Sequence, residues 1–93
     1  MAKITTRPQS RRSLAENLRT ARSLLGWSQE QLGFETGLKR TYIGALERGE
    51  INPGIDNVDK LALGLGVDVC TLLTTPAQAY DTLYQEASRR GKA

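Results

Sequence analysis

Residues 28–49 of the chain read SQEQLGFETGLKRTYIGALERG, and this stretch decides the fold. Ser28 and Gln31 have the spacing of a capping box, in which side chains satisfy the free N–H groups that begin a helix. Gly37 is placed to end that helix, because glycine adopts a left-handed backbone at little cost. A second helix is predicted from about residue 39 to 48. The stretch therefore predicts two short helices that meet at a steep angle across Gly37.

Gly33 lies inside the first of these helices, where glycine costs about 1 kcal/mol relative to alanine. A gain elsewhere must offset this cost. We expect the gain to be close approach, because the second helix can pack against a residue that has no side chain. The apolar residues expected to fill the corner are Leu32, Leu38, Ile43 and Leu46.

Further helices are predicted on both sides of this pair, where apolar residues recur at helical spacing. Upstream, a capping box of Ser13 and Glu16 is expected to begin a helix that Gly26 ends. Downstream, the turn at residues 52–54 precedes a helix that ends at Gly66.

Two more helices complete the predicted order. Asp68 is expected to cap a short fifth helix, and Thr75 with Gln78 forms a third capping box in front of a sixth helix. Pro76 suits the first position of that helix, where its missing N–H costs nothing. No stretch alternates as a strand does, so the predicted fold class is all-α.

The composition excludes several classes of function. Ninety-three residues make one domain. The chain has no histidine, which removes the commonest general base and metal ligand. It also has no phosphate-cradling glycine loop and no metal-ligand cluster. We therefore expect no enzyme activity, no cofactor and no metal.

Cysteine content and hydropathy indicate the compartment. Cys70 cannot form an internal disulfide alone, which fits a reducing cytosol, and we expect it to be a small buried apolar residue. No apolar run approaches the roughly 20 residues of a membrane span. These features predict a cytoplasmic protein without a membrane partner, whereas a nucleoid location is implied by the family resemblance described below.

The charge is distributed unevenly along the chain. Residues 1–22 carry six cations and one anion, residues 23–75 carry four cations and seven anions, and the whole chain has a net charge of +3. The positive charge is therefore concentrated in the N-terminal residues 1–22. A basic arm commonly holds a phosphate backbone. A solvated tail without a partner explains the same charge.

Residues 14–73 resemble the helix–turn–helix domain of the phage Cro and repressor type, also called the XRE family. The matching elements, in the family's order and spacing, are Leu24-Leu-Gly-Trp-Ser-Gln-Glu-Gln-Leu32, Gly37-Leu38, Ile43, Leu46-Glu-Arg-Gly49, Asn52-Pro53 and Leu65-Gly-Val67. The resemblance implies a five-helix, lambda-repressor-like domain that binds duplex DNA. With it we divide the chain into a basic flexible arm (1–12), the DNA-binding domain (13–75) and a C-terminal sixth helix (76–93).

The resemblance implies that the third helix lies in the major groove, where each base pair shows a distinct pattern of donors and acceptors. The base-contacting residues are then Lys39, Arg40, Thr41 and Ala45. Arg40 suits a two-pronged contact to guanine, and Ala45 suits a thymine methyl. The family often has a long polar side chain where this chain has Gly44, which leaves selectivity to fewer groups. A solvated helix start is the alternative reading of Lys39 and Arg40.

Phosphate contacts are expected from the flanks of this helix. Gln29 begins the second helix, where free N–H groups and a side-chain amide can bind a phosphate oxygen. The other expected phosphate contacts are Tyr42, Arg48, Asn52 and Arg19. The resemblance also implies a partly buried ion pair between Arg22 and Glu47, with a structural role, and we expect Trp27 to pack at the bend before the second helix.

The sixth helix carries an apolar stripe. If five helices complete the core, this stripe must either fold back on its own domain or meet another chain. Small DNA-binding domains gain affinity by binding a second half-site, so we predict a homodimer. The predicted interface residues are Val69, Leu72 and Leu73 of the fifth helix and Tyr80, Leu83 and Tyr84 of the sixth. Packing within one chain is the alternative.

The function predicted from these features is a sequence-specific transcription regulator that binds an inverted repeat. A phage-type repressor, a restriction–modification controller and an antitoxin that represses its own operon all fit the sequence. A protein partner such as a toxin, an antirepressor or RNA polymerase is compatible with each. The alternative function is an antitoxin or bridging module that uses the same fold without reading DNA, against which Lys39, Arg40 and the basic arm argue.

Overall fold

The computed structural model describes residues 9–90, and within that range every regular element is a helix. The helices are α1 (Gln9–Leu25), α2 (Gln29–Thr36), α3 (Arg40–Glu47), α4 (Ile55–Leu65), α5 (Val69–Leu73) and α6 (Pro76–Arg89). The predicted fold class and helix order are therefore confirmed. None of the helices in residues 9–90 is long and apolar enough to cross a bilayer.

The start of α1 differs from the prediction. Ser13 does not cap the helix, because α1 already begins at Gln9 and Ser13 lies inside it, only 3% exposed. A serine cap leaves its residue at the helix end, whereas here packing holds the small side chain in the interior. Residues 9–12 consequently belong to α1, while residues 1–8 of the expected basic arm lie outside the described part of the chain.

The turns around α2 follow the sequence prediction. The Ser28 side chain accepts a hydrogen bond from the Gln31 backbone N–H at 3.0 Å. Gly37 ends the helix with φ +74°, and its N–H bonds to the Gly33 carbonyl. A side chain at Gly37 would be strained in this backbone conformation, so glycine fixes the position of the turn between α2 and α3.

Gly33 allows the close approach that its position predicted. A Cβ placed on Gly33 would lie 2.6 Å from the Leu38 carbonyl oxygen, inside van der Waals contact with rigid backbone. The turn into α3 therefore passes directly over the place where any other residue would have a side chain.

Two predicted caps do not form. Asp68 and Thr75 occupy the N-cap positions of α5 and α6, but neither side chain bonds to a backbone N–H of its helix. Thr75 instead donates to the side chain of Gln78 at 2.9 Å. Pro76 does occupy the start of α6, where its ring pre-sets the backbone.

Helix α1 lies at the centre of the fold. It packs against α3, α5 and α6, while α2 packs against α3 and α4. The largest fully buried side chains are Leu18, Leu32, Ile43, Leu61, Leu65, Leu72, Leu83 and Asn17. Burial of each leucine or isoleucine contributes about 1.5–3 kcal/mol, so one shared core holds all six helices.

Asn17 is a buried polar residue that ties α1 to the end of α5. Its side-chain amide donates to the carbonyls of Leu72 at 2.9 Å and Thr74 at 2.7 Å. These carbonyls have no helical partner because α5 ends there. The bond to Thr74 also fixes the link from which α6 starts.

Helix α6 belongs to the same core, which corrects the expectation that five helices complete it. Ala79, Leu83 and Ala87 are buried, and α6 packs along α1. Its last turn is also anchored, because the guanidinium of Arg90 lies 5.3 Å from the centre of the Trp27 ring. Such a cation–π contact adds about 0.5–2 kcal/mol.

This packing also corrects part of the predicted dimer interface. Leu72 and Leu83 are 0% and 2% exposed within a single chain, so their surface is not available to a second copy. Tyr80 and Tyr84 remain half exposed, and Val69 and Leu73 are partly buried at the edge of the core. Cys70, in contrast, is exposed rather than buried, because α5 is short and turns that residue outward.

The glycine at residue 33 provides a test of the α2–α3 geometry. We expect Gly33→Ala to destabilise the fold by about 1–3 kcal/mol, since the new methyl would overlap the Leu38 carbonyl. Gly54→Ala is the matched control, because a Cβ there meets nothing within 4 Å and φ is −71°. Urea unfolding of both variants checks this, and equal stability of the two would contradict the close approach.

Candidate nucleic-acid interface

The N-terminal end of α3 presents three exposed polar residues in succession: Lys39, Arg40 and Thr41. Lys39 occupies the N-cap position and makes no capping hydrogen bond. Neither Lys39 nor Arg40 forms an ion pair with any residue in the described range. Two cations at an uncapped helix N-terminus oppose the helix dipole. The arrangement costs folding energy and leaves the two charges available to a polyanion.

Thr41 and Ala45 lie on one face of α3, since residues four apart are neighbours on a helix. Thr41 is exposed and Ala45 is half-buried. A hydroxyl followed by a methyl along one face can approach base edges closely. The structure thus brings together the four residues predicted to contact bases.

Gly44 has a different role from the one that the sequence suggested. It is buried, and a Cβ there would lie 3.2 Å from an Nη atom of Arg48 and 3.7 Å from the Gln29 side-chain oxygen. The side chains of Arg48 and Gln29 therefore pass close to Gly44. A long side chain at this position would displace them rather than reach a base.

The buried carboxylate of Glu47 accepts hydrogen bonds beneath this surface. It is 3% exposed and accepts two hydrogen bonds from Arg22, at 2.7 Å from Nε and 3.0 Å from Nη2. Arg22 also donates to the Trp27 carbonyl at 3.0 Å. The two residues form the ion pair that the resemblance implied, and it joins α1, the α1–α2 turn and α3.

The hydrogen bond to Glu47 raises the pKa of Arg22 above its ordinary value. A group whose pKa is higher in the folded than in the unfolded state adds stability at every pH below its unfolded-state pKa. That contribution is lost only as the pH rises through the folded-state pKa. Arginine already has a pKa far above neutral pH, and the shift is upward. The arginine side of the pair is therefore charged at neutral pH.

Gln29 belongs to the same network. Its side-chain amide donates to Glu47 at 3.0 Å, which ties the first residue of α2 to the last residue of α3. The amide that was expected to bind phosphate is thus already engaged. The N–H groups at the start of α2 remain, and Ser28, Gln29, Glu30 and Arg40 line an open groove between the two helix starts.

Arg19 is placed differently from the prediction. Its guanidinium donates to the backbone carbonyl of Glu47, at the C-terminal end of α3. A cation there satisfies a carbonyl without a helical partner and complements the negative end of the helix dipole. Arg19 therefore supports α3 from behind, and this corrects its assignment as a phosphate contact.

The remaining predicted phosphate contacts, Tyr42, Arg48 and Asn52, do not share one side of α3. Tyr42 is half-buried, and its hydroxyl accepts a hydrogen bond from Asn57 of α4 at 2.9 Å. Arg48 is exposed and pairs with Glu50 at 2.9 Å, a partner that the sequence analysis missed. Asn52 is exposed in the loop after α3. These three residues do not form one cluster with Arg40, but they flank the same helix.

The buried carboxylate of Glu47 can be tested by substitution. We expect Glu47→Gln to destabilise the fold by about 3 kcal/mol. The reason is that Arg22 loses its counter-ion while its side chain stays mostly buried, at 22% exposed. Arg48→Met is the matched control, since it removes an ion pair between two exposed side chains, which contributes little.

Thermal and urea unfolding measure both variants. The double change Arg22→Met, Glu47→Leu should recover much of the loss, since it removes both charges together. Equal effects of Glu47→Gln and Arg48→Met would show that the buried pair does not anchor α3.

Comparison with known proteins places this surface in context. A family model described as helix-turn-helix (HTH_3) matches residues 18–72, which is more than half of the chain. A hypothetical transcription factor of Neisseria meningitidis is 37% identical over 89 residues, covering 96% of this chain and 84% of the relative.

Two solved structures share the fold. The crystal structure of the hypothetical transcription factor NHTF from Neisseria aligns with a TM-score of 0.73 and 38% identity, over 88% of this chain and 94% of that one. The restriction-modification controller protein C.AhdI from Aeromonas hydrophila aligns with a TM-score of 0.64 and 39% identity, over 67% of this chain and 94% of the controller.

Proposed function

This chain belongs to the helix-turn-helix family of DNA-binding transcription regulators, and we propose that it binds an inverted repeat in duplex DNA as a homodimer. The observation that carries the proposal is the exposed, uncapped and cationic start of α3, held in place from behind by the buried Glu47 network. A helix of this kind fits the major groove, which is wide enough to admit it.

In this proposal the base contacts come from Lys39, Arg40, Thr41 and Ala45. Arg40 is the main specificity residue, since its guanidinium can bond both O6 and N7 of guanine. Thr41 and Ala45 follow along one face and suit a base edge and a thymine methyl. Lys39 bonds a base or the adjacent phosphate.

The phosphate contacts come from both sides of this helix and fix its register without reading sequence. On one side, the free N–H groups at the start of α2, beside Gln29, suit a phosphate oxygen. Arg48 joins this side, because its guanidinium lies close to the Gln29 side chain over Gly44. On the other side, Tyr42 and Asn52 approach the opposite backbone wall. The basic residues 1–8, outside the described range, add a sequence-independent contact.

Pairing of two copies provides the second half-site. A single α3 reads few base pairs, and a two-fold dimer places two such helices about 34 Å apart on one face of the duplex. The side chains that suit the interface are the partly buried Val69 and Leu73 of α5 and the half-exposed Tyr80 and Tyr84 of α6. The two tyrosine rings already form an edge-to-face pair, with centres 6.4 Å apart.

Among regulators, we propose a controller-type or repressor-type protein that acts on a nearby promoter. The likeness to the controller protein C.AhdI supports this choice.

Arg40→Ala tests the reading helix. Against duplexes selected from a random library by the unaltered protein, we expect it to lose discrimination at one base pair by about 5-fold to 150-fold, equivalent to 1–3 kcal/mol. Removal of residues 1–8 should weaken binding to all duplexes alike and reduce the salt dependence. Anisotropy titrations across a salt series measure both.

Lys60→Ala is the control for that experiment, because Lys60 is an exposed cation on α4 that does not flank α3. It should leave selectivity unchanged. Equal losses on every sequence from Arg40→Ala and from the truncation would contradict the proposed division of roles. Absence of salt-dependent binding to any duplex would favour a protein-binding module instead.

Tyr80→Gln combined with Tyr84→Gln tests the dimer. Both side chains are about half exposed, so the substitutions should leave the fold intact. We expect a shift from dimer to monomer in sedimentation and a loss of operator affinity of more than about tenfold. Phe34→Gln, which removes an exposed aromatic on α2, should leave the mass unchanged. An unchanged mass for the tyrosine variant would overturn this interface.

A further inference from the structure

The side chain of Arg90, which follows the last residue of α6, contacts two other parts of the fold. Its guanidinium carbon lies 5.3 Å from the centre of the Trp27 ring, in the turn between α1 and α2. A Cβ placed on Gly66 would lie 2.8 Å from Nη1 of the same guanidinium and 3.7 Å from Cδ. The arginine side chain therefore fills the space that a side chain at Gly66, directly after α4, would need.

The backbone of Arg90 is held independently of these contacts. Its N–H donates to the carbonyls of Glu86 and Ala87, both at 3.2 Å. Ala87 is buried, and α6 packs along α1. The guanidinium therefore reaches Trp27 from a fixed position, so the contact restrains the turn between α1 and α2.

The backbone of Trp27 connects this contact to the hydrogen bonds beneath α3. Its N–H donates to the Arg22 carbonyl, and its own carbonyl accepts a hydrogen bond from Arg22 Nη1, both at 3.0 Å. Arg22 in turn donates to the buried carboxylate of Glu47 at 2.7 Å and 3.0 Å. One guanidinium thus joins the turn residue to the last residue of α3.

Trp27 also precedes the start of α2. Ser28 is the N-cap of that helix, and Gln29 is its first residue. Gln29 donates to Glu47 at 3.0 Å. A displacement of the turn would therefore move two donors to Glu47 together, one on each side of Trp27 in the chain.

We propose that Arg90 is a positioning residue for α3, because its contact with the Trp27 ring fixes the turn that lies between the Arg22 and Gln29 donors. This inference rests on the proposed DNA binding, in which Arg90 itself touches no base. Its effect falls on selectivity, since two bonds to one guanine require closer placement than charge attraction to phosphates does.

The contact itself is tested without DNA. Trp27 is the single tryptophan of the chain, so the fluorescence of the full chain reports on this ring alone. We expect Arg90→Ala to raise the constant for quenching by acrylamide, because the guanidinium no longer covers the ring. Acrylamide is uncharged, so the loss of a cation does not by itself change its access.

Arg89→Ala is the matched control, because it removes the same side chain one position earlier. Arg89 is 74% exposed and pairs with Glu86 at 3.5 Å, on the same helix. This variant should keep the quenching constant of the unaltered protein. Equal quenching of Trp27 in all three proteins would overturn the proposal at its first step.

The positioning role is tested on a duplex selected from a random library by the unaltered protein and on a shuffled duplex of the same composition. We expect Arg90→Ala to reduce the ratio of the two affinities by about threefold to tenfold, within the range of one cation–π contact. Arg89→Ala should leave the ratio unchanged. Arg90→Lys should recover part of it, since lysine keeps the cation but not the planar group.

Each other outcome has a definite meaning. An unchanged ratio for Arg90→Ala would show that the contact is only structural. Equal losses on both duplexes with a weaker salt dependence would show a direct phosphate contact, and the positioning role would be wrong. If the unaltered protein does not distinguish the duplexes, the proposed function fails and this inference fails with it. Circular dichroism confirms that the variants are folded, as expected for exposed residues.

Discussion

The carboxylate of Glu47 is the constraint on which the geometry of the reading helix depends. Arg22 from α1 and Gln29 from α2 both donate to it, and Arg19 donates to the carbonyl of the same residue. A buried carboxylate is costly unless its oxygens are paired. The pairing requirement therefore fixes three helices relative to one another, and α3 can expose an unfavourable, uncapped cationic start because its other end is held this firmly.

The fold separates two surfaces of opposite charge. The start of α3 carries Lys39 and Arg40 without a partner in the described range, whereas α2 and α4 turn carboxylates and two apolar side chains outward. A protein with a net charge of only +3 thus concentrates positive charge where a polyanion is proposed to bind.

Features that depend on residues close together in the sequence were predictable, whereas features that depend on contacts between distant helices were not. The turn at Gly37 and the cap at Ser28 were predictable, because a left-handed glycine and a serine cap act within a few residues. The cap at Ser13 was wrong, because burial against distant helices held that residue inside α1. Arg19 and Gln29 were each assigned to DNA from their position along the helices, whereas their hydrogen-bond partner, Glu47, comes from another helix.

The sequence by itself determined the helix order, the position of the tight turn and the residues that begin α3. It did so because helix periodicity, glycine conformation and capping are local properties of the chain. Only the tertiary structure decided that α6 completes the core and that Glu47 collects donors from two other helices. These features depend on which helix faces pack together, and the periodicity of one helix does not specify the face of its partner.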